Sequence, residues 1–185
     1  MDRRIKKNQT AIMHALLQLI LEKEFEKITI NEIAERADVN RGTVYSHYAD
    51  KYDLLDKCIE DQLRHLMETC YAIDAAEPFQ TKAPLLLTIK EIEINARLYK
   101  ALLRIKDVPS FRIHLSSMMN KQIMAQLKAN SHLCLDDLGQ SIFAQFMSSA
   151  IVGVIEWWFA QSMPCSAEEL TDRLWSLLEM NLMTG

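Results

Sequence analysis

The stretch TINEIAERADVNRGTVYSHYADK, residues 29–51, decides the fold predicted for this 185-residue chain. Thr29 and Glu32 form the S/T-x-x-E pattern of a capping box, which predicts a helix that begins directly after Thr29. Asp38 tolerates a left-handed backbone and Asn40 is a preferred N-cap, so these two residues predict a break and a second helix start. The stretch therefore predicts two short helices joined by a tight turn.

The second helix, predicted over residues 41–48, is polar on one side and apolar on the other. Four of its side chains can hydrogen-bond outward: Arg41, Thr43, Tyr45 and His47. Val44 and Tyr48 stand four residues apart, so they share the opposite face and hold the helix on its domain. Two short helices of which the second is polar at its N-terminal end describe a helix-turn-helix.

The same stretch resembles the DNA-binding domain of the tetracycline-repressor (TetR) family of bacterial transcription regulators, whose pattern is close to T-x-x-x-I-A-x-x-A-G-V-S-x-G-T-x-Y-x-H-F-x-x-K. The matching positions are Thr29, Ile33, Ala34, Ala37, Val39, Gly42, Thr43, Tyr45, His47, Tyr48 and Lys51. Asp38 stands where the family usually has glycine, and Asn40 where it usually has serine. Both replacements keep the local physics, because aspartate adopts the turn conformation and asparagine caps a helix as well as serine does.

The resemblance implies a DNA-contacting surface. Its base-contacting side comprises Arg41, Gly42, Thr43, Tyr45 and His47, and its flanking phosphate contacts are Thr29 and Lys51. Arg41 can form a bidentate contact with guanine and Thr43 can touch a thymine methyl group, while Gly42 lets the backbone approach the groove. Tyr45 and His47 can contact either bases or phosphates. The alternative is that some of these residues only cap or pack, with the Tyr45 ring buried against the first helix.

Composition predicts an all-α protein, because the chain has only four glycines, four prolines and no alternating Val/Ile/Thr runs. We expect an N-terminal three-helix helix-turn-helix domain at residues 1–51 and a helical ligand-binding and dimerisation domain at residues 52–185. Another helix is predicted to open at Asp50, with Asp53 three residues on, and to run to about residue 72. The remaining helices are predicted over residues 7–23, 85–104, 110–129, 136–161 and 167–182.

The charge distribution favours a local nucleic-acid contact. The chain has a net charge of -4, but residues 1–51 hold nine basic against eight acidic residues. Residues 52–185 hold twelve basic and seventeen acidic residues. A basic arm at residues 1–7 precedes the first predicted helix and is placed to reach DNA phosphates or to remain a solvated terminus. Basic character therefore lies at the end where a DNA contact requires it.

An apolar segment at residues 141–160, SIFAQFMSSAIVGVIEWWFA, is hydrophobic enough to suggest a membrane span. Gln145 and Glu156 lie inside it, and a charge at membrane depth costs at least a few kcal/mol, so we predict a buried helix and no membrane contact. The next helix carries leucines at heptad-like spacing: Leu170, Leu174, Leu177, Leu178 and Leu182. These last two helices are expected to form a homodimer interface, as in the proteins that the chain resembles.

The C-terminal body is where an effector is expected to bind. The resemblance implies an inducer held in the C-terminal body, and candidate lining residues are Tyr99, Met118, Met119, Phe143, Phe146, Met147 and Trp157. Methionine and aromatic residues at helical spacing also form ordinary cores, so the alternative is plain packing. The signature at residues 151–158, IVGVIEWW, resembles a C-terminal type common in regulators of Gram-positive bacteria, some of which respond to protein partners.

Catalytic and metal-binding motifs are missing from the sequence. No H-E-x-x-H, G-x-S-x-G, P-loop or G-x-G-x-x-G pattern occurs, and Asp61 and His65 have no evident third metal ligand. We predict no enzyme activity, metal or cofactor. The cysteines form no C-x-x-C pair and are Cys58, Cys70, Cys134 and Cys165. With no apparent signal peptide, we expect reduced thiols in a cytoplasmic protein; a redox-sensing cysteine is the alternative.

These patterns predict a homodimeric, sequence-specific transcription regulator, most simply a repressor released by an effector. A two-fold dimer places its recognition helices about 34 Å apart, which predicts a near-palindromic operator in double-stranded DNA. The alternative keeps the DNA-binding domain but makes the C-terminal body a protein-interaction module of an activator or co-regulator.

Overall fold

The computed structural model describes residues 3–71, 82–105, 110–129 and 136–182, and these residues form helices and no strand. The elements are α1 Arg3–Glu22, a 3-10 turn Phe25–Lys27, α2 Ile30–Arg36, α3 Arg41–Tyr45, α4 Lys51–Tyr71, α5 Ala83–Ile94, α6 Ala96–Leu103, α7 Ser110–Ala129, α8 Asp137–Ala160 and α9 Ala167–Leu182. The all-α prediction is confirmed.

The chain separates into two compact units. The first comprises Met1–Gln62 and Arg97–Phe111, and the second comprises Leu63–Ala96 and Arg112–Gly185. Helix α4 begins in the first unit and ends in the second, so it connects them along the chain. The division into functional domains at residue 51 stays a prediction.

The core of the first unit follows the helical period of its sequence. Ile12 and Leu16 of α1 are fully buried, as are Ile33 of α2, Val44 of α3 and Leu54 of α4. Helix α1 packs on α2, and α2 packs on α3. Helix α1 begins at Arg3, four residues before its predicted start, so the described part of the basic arm forms exposed first turns of this helix.

In the second unit, α5 packs against α9. Ile89 and Ile92 of α5 are buried, as are Leu170 and Leu174 of α9. Two ion pairs, Lys82 with Asp172 and Lys90 with Glu168, connect the exposed edges of these helices. The apolar contact supplies the stabilisation, because exposed ion pairs each contribute about 0–1 kcal/mol.

The single helix predicted over residues 85–104 is in fact two helices, separated at Asn95. The Asn95 side-chain amide donates hydrogen bonds to the Glu91 carbonyl oxygen at 3.1 Å and to its Oε1 atom at 2.7 Å. Asparagine can break a helix in this way because its side chain competes for backbone groups. The prediction was wrong here because neither glycine nor proline marks the break.

Helix α8 confirms the helix predicted over residues 136–161, with Asp136 accepting a hydrogen bond from the Gly139 backbone N–H at 2.7 Å. Within the described ranges, α8 is the one helix long and apolar enough to cross a membrane. Core helices of soluble proteins can have the same length and composition. One side is buried through Met147, Ile155 and Trp158. The Glu156 carboxylate pairs with Arg112 at 3.1 Å, so the charge inside the segment has a partner within the protein.

We expect Ile89→Ala to lower the free energy of unfolding by about 2–5 kcal/mol, because it opens a cavity in the α5–α9 core. Ile94→Ala is the matched control on the same helix, since the Ile94 side chain is 77% exposed. Its effect should stay within about 0.5 kcal/mol. Urea denaturation followed by circular dichroism measures both values, and equal losses in the two variants would contradict the packing described above.

Candidate nucleic-acid interface

The N-terminus of α2 is fixed by the predicted capping box. The Thr29 Oγ1 atom accepts a hydrogen bond from the Glu32 backbone N–H at 3.3 Å, and the Thr29 backbone N–H donates to Glu32 Oε2 at 2.9 Å. The Glu32 carboxylate also pairs with Lys23. Hydrogen bonds from Lys23 and from Thr29 lower the pKa of Glu32 to about 2, so the carboxylate is ionised at neutral pH.

The turn between α2 and α3 has the backbone that the sequence predicts. Asp38 adopts a left-handed conformation with φ of 53°. The Asn40 Oδ1 atom accepts hydrogen bonds from the Thr43 backbone N–H at 2.9 Å and from the Thr43 hydroxyl at 3.0 Å. Asn40 therefore caps α3, and its position in the family pattern is explained by the same bond that serine would make.

Helix α3 is shorter than predicted and ends at Tyr45 instead of residue 48. The Ser46 hydroxyl donates to the Thr43 carbonyl oxygen at 2.7 Å, and the His47 backbone N–H donates to the Val44 carbonyl oxygen at 3.0 Å. The chain tightens there from an α-helix into a turn. His47 therefore lies in the turn after the helix, half-buried with its ring 6.2 Å from that of Tyr48.

Arg41 and Tyr45 form a stacked pair on the exposed side of α3. The Arg41 guanidinium lies 5.2 Å from the centroid of the Tyr45 ring, and its Nη2 atom donates to the Tyr45 hydroxyl at 3.1 Å. The Tyr45 side chain is 45% exposed, so the alternative in which its ring is buried against the first helix is wrong. The stack limits the conformations of the guanidinium before any partner binds.

Gly42 and Thr43 are shaped by the cap at Asn40. A Cβ atom on Gly42 would lie 3.3 Å from Asn40 Oδ1, so a larger residue would crowd the capping side chain. The Thr43 hydroxyl is already bonded to this oxygen, which leaves the methyl group as the free end of its side chain. Val44 and Tyr48 face the core as predicted, with 0% and 5% exposure.

Lys51 is held inside the first unit. Its ammonium group donates to the carbonyl oxygens of Phe25, Glu26 and Ile28 at 3.0–3.1 Å. The nitrogen also lies 4.7 Å from the centroid of the Phe25 ring and 5.5 Å from that of Tyr52. All three ammonium hydrogens have acceptors, so the side chain ties the end of the 3-10 turn to the start of α4. Its predicted phosphate contact stays a prediction that this bonding does not favour.

Sequence reasoning missed the ion pairs between α1 and α2. Besides the Lys23–Glu32 pair, Arg36 binds Glu22 with two hydrogen bonds, one of them from Nη2 to Oε2 at 2.8 Å. The hydrogen bond from Arg36 lowers the pKa of Glu22. The partners are nine and fourteen residues apart, which is not a helical spacing, so no local pattern reveals them.

The predicted effector-lining residues occupy different environments. Tyr99 belongs to the first unit and packs near Phe111 with ring centroids 5.5 Å apart, whereas the other six belong to the second unit. Met119 and Met147 are buried, and Met118 and Phe143 are half-buried. Phe146 and Trp157 are 60% and 50% exposed, so both lie on the surface of α8. A shared ligand cavity for the seven residues stays a prediction.

The cysteines have structural environments where the structure describes them. Cys58 is fully buried, and burial raises the pKa of its thiol to about 12, which makes it unreactive at neutral pH. Cys165 is half-buried, and its carbonyl oxygen accepts a hydrogen bond from the Trp158 indole at 2.9 Å. Cys134 and the Cys70 side chain lie outside the described residues.

Two models of known protein families match the sequence of this chain. Residues 12–58 match the model described as bacterial regulatory proteins, tetR family. Residues 81–180, more than half of the chain, match a TetR-type model described as a transcriptional regulator C-terminal region. The chain belongs to the TetR family. The helix-turn-helix formed by α2 and α3 lies within the matched residues, and Asn40 is the N-cap of its second helix.

Similar proteins agree with this assignment. The chain is 25% identical over 180 residues to YxbF of Bacillus subtilis, described as an uncharacterized HTH-type transcriptional regulator. That alignment covers 92% of the chain but 44% of the relative, so the chain spans less than half the length of the curated relatives it matches.

Solved structures of similar length share the whole fold. A TetR transcriptional regulator from Streptococcus agalactiae has a TM-score of 0.72 and 26% identity, covering 95% of this chain and 96% of that one. NalD of Pseudomonas aeruginosa, described as the secondary repressor of the MexAB-OprM multidrug efflux pump, has a TM-score of 0.70 and 20% identity, covering 93% and 94%. At that identity the second likeness concerns the fold alone.

We expect Lys51→Met to lower the free energy of unfolding by about 1–3 kcal/mol, because three charge-assisted hydrogen bonds are lost. Lys27→Met is the matched control, since Lys27 makes one exposed ion pair with Glu24 and should cost less than about 1 kcal/mol. Thermal and urea unfolding measure both. The salt dependence of DNA binding distinguishes a structural role of Lys51 from a phosphate contact. If the role is structural, the slope of log affinity against log salt concentration should be the same in Lys51→Met as in the unaltered chain. Loss of a phosphate contact would reduce the magnitude of this slope by about 0.9.

Proposed function

We propose that the chain is a cytoplasmic, sequence-specific DNA-binding transcription regulator without catalytic activity. Residues 1–51 read the DNA and residues 52–185 form the dimerisation and effector domain in this proposal. The observation that carries it is the exposed, capped helix α3, which presents the Arg41–Tyr45 stack beside Thr43 on a buried base formed by Val44 and Tyr48. A rigid short helix with one polar side is the recognition element of a helix-turn-helix.

The proposed base contacts come from the exposed side of α3 and the turn that follows it. They are Arg41, Gly42, Thr43, Tyr45 and His47. Arg41 offers a planar fork that matches the O6 and N7 atoms of guanine, and the Thr43 methyl group suits a thymine methyl. Thr29, exposed at the N-terminus of α2, stays the proposed phosphate contact, and it would have to exchange a hydrogen bond that its N–H or hydroxyl now donates to Glu32. Lys51 is left out because its ammonium hydrogens are already bonded.

The proposed dimer uses α8 and α9. Helix α8 exposes large apolar side chains on one face: Leu138, Ile142, Phe146 and Trp157 are 50–67% exposed. Leu177 of α9 is 56% exposed, whereas Leu170 and Leu174 are buried within the unit; the Leu178 and Leu182 side chains lie outside the described residues. An apolar face of this size supports burial against a second copy of the chain. Two reading helices about 34 Å apart would then recognise a near-palindromic operator.

We further infer that the regulator is a repressor released by an effector. Support comes from the fold that it shares with NalD, described as a repressor. The competing function is an activator or co-regulator whose C-terminal body binds a protein partner. A reporter gene placed behind the operator distinguishes the two, because deletion of the regulator raises expression in the first case and lowers it in the second. A stoichiometric protein that co-purifies with the chain would also favour the second function.

We expect the double variant Arg41→Ala and Thr43→Ala to abolish footprinting on the chain's own upstream region and to leave the dimer intact. A lost bidentate contact and a lost methyl contact together weaken specific binding by about 2–5 kcal/mol. The matched control removes one charge and one hydroxyl from the exposed side of α7, through Ser117→Ala and Lys121→Ala. The control should footprint as the unaltered chain does.

Specific binding that survives the loss of Arg41 and Thr43 would contradict the assignment of the reading face. The dimer is measured on the same samples by light scattering, so a loss of binding caused by dissociation is recognised. Circular dichroism confirms that the helices are retained.

We expect Ile142→Glu to convert the dimer into a monomer, because a charge placed in an apolar interface loses its hydration without gaining a partner. Ile113→Glu on α7 is the matched control, since the two isoleucines are 61% and 57% exposed. Sedimentation velocity at micromolar concentration measures the state of both variants. A dimer that persists in the Ile142 variant, or that is lost equally in both, would contradict an interface on this face of α8.

A further inference from the structure

A groove of about 500 Å³ lies within the first compact unit, between the C-terminal end of α1, the 3-10 turn and α6. Its apolar lining includes Ile20, Phe25 and Ile105, which are at least nine-tenths buried, together with the more exposed Leu21 and Ala101. The volume falls within the range of about 300–1,000 Å³ that small-molecule sites occupy. The groove is separate from the reading surface of α3, whose residues do not line it.

Three basic side chains line one wall of this groove: Arg97 and Lys100 of α6, and Arg104, which directly follows that helix. The spacing of three residues places Arg97 and Lys100 on one face of α6, and the turn after the helix brings Arg104 to the same groove. None of the three forms an ion pair with a described residue, and α6 itself contains no acidic residue. The wall therefore carries a positive charge that nearby described side chains do not neutralise. Like charges at this spacing also repel one another, which favours the binding of an anion.

The carboxylates of the opposite wall are mostly bound elsewhere. Glu22 is held by two hydrogen bonds from Arg36, and Glu24 pairs with Lys27 at 2.7 Å. Lys23, which also lines the groove, pairs with Glu32 of α2. Glu26 is the one lining carboxylate without an ion pair to a described residue. Among the described side chains, three cations without an ion pair therefore face one such anion.

We propose that this groove binds a small organic polyanion, which carries at least two phosphate or carboxylate groups beside a compact apolar part. The guanidinium forks of Arg97 and Arg104 suit bidentate contact with either group. Seven residues at the helical rise of about 1.5 Å place Arg104, one residue beyond α6, about 10 Å along the helix axis from Arg97. Lys100 lies between them, so more than one anionic group can be bound. Ile20, Phe25 and the other apolar lining residues accept the uncharged part.

A ligand in this groove also contacts the 3-10 turn whose carbonyl oxygens hold Lys51. Phe25 and Glu26 line the groove, and both accept hydrogen bonds from the Lys51 ammonium. Bound anionic charge in the unit that contains the reading helix weakens its attraction for DNA phosphates. If the chain binds DNA as proposed above, the polyanion lowers its affinity for the operator.

Isothermal titration calorimetry without DNA tests the binding directly, with inorganic pyrophosphate and citrate as the two probes. We expect one site per chain for at least one probe, and the better probe distinguishes phosphate from carboxylate ligands. The double variant R97Q/R104Q should bind about tenfold or more weakly, because charge-assisted hydrogen bonds are lost. The matched control K121Q/K128Q removes two exposed charges from α7 and should bind within about twofold of the unaltered chain.

The variant R97K/R104K keeps the charge but not the forks, and its intermediate affinity would separate recognition from a folding defect. Absence of binding by both probes would overturn the proposal, as would equal weakening in R97Q/R104Q and K121Q/K128Q. A titration of operator binding against salt, without either probe, tests a direct DNA role for α6. A slope reduced by about two in R97Q/R104Q would make these arginines phosphate contacts and would also overturn the proposal. Because calorimetry uses no DNA, its result stands even if the proposed DNA binding fails.

Discussion

A helix of five residues cannot persist in water by its own hydrogen bonds, and this constraint governs the first compact unit. Every stabilising contact of α3 therefore comes from outside its own backbone ladder. The Asn40 side chain accepts a hydrogen bond from the Thr43 backbone N–H, while Val44 supplies a fully buried apolar contact and Tyr48 packs directly after the helix. The outward side is consequently free to be polar, which is the property that recognition of base edges requires.

The support of α3 extends to Lys51, whose ammonium group joins the 3-10 turn to α4. A lysine near a DNA-binding motif suggests a phosphate contact. The Lys51 ammonium group, however, is already surrounded by three carbonyl oxygens and two aromatic rings. A positive charge can thus serve DNA recognition indirectly, by fixing the backbone from which α2 starts. The Lys23–Glu32 ion pair acts in the same direction, since Glu32 is also part of the α2 cap.

The sequence predicts those parts of the structure that depend on neighbours in the chain. The caps at Thr29 and Asn40 lie within three residues of the groups they bond, and both were found where predicted. The Lys51 contacts span 23–26 residues, so no local pattern contains them. The side-chain amide of Asn95 marks the end of α5, but asparagine also occurs inside continuous helices, so its presence in the sequence does not predict the break. The sequence predicts the helix that contains Phe146. Because that helix is apolar on most sides, its sequence does not indicate which face packs within the chain and which face, including Phe146, is exposed.

The two faces of α8 suit the dimer proposed for this chain of net charge -4. A single reading head offers few phosphate contacts, and the overall charge adds no general attraction for a polyanion. In the proposed dimer, affinity comes from two heads held at one spacing by a connection between copies of the chain. One face of α8 is buried within the chain, and its exposed apolar face is the proposed site of association. Helix α4 begins at Lys51, whose ammonium group is bonded to the carbonyl oxygens of residues 25, 26 and 28, so the start of α4 is tied to the backbone that directly precedes α2.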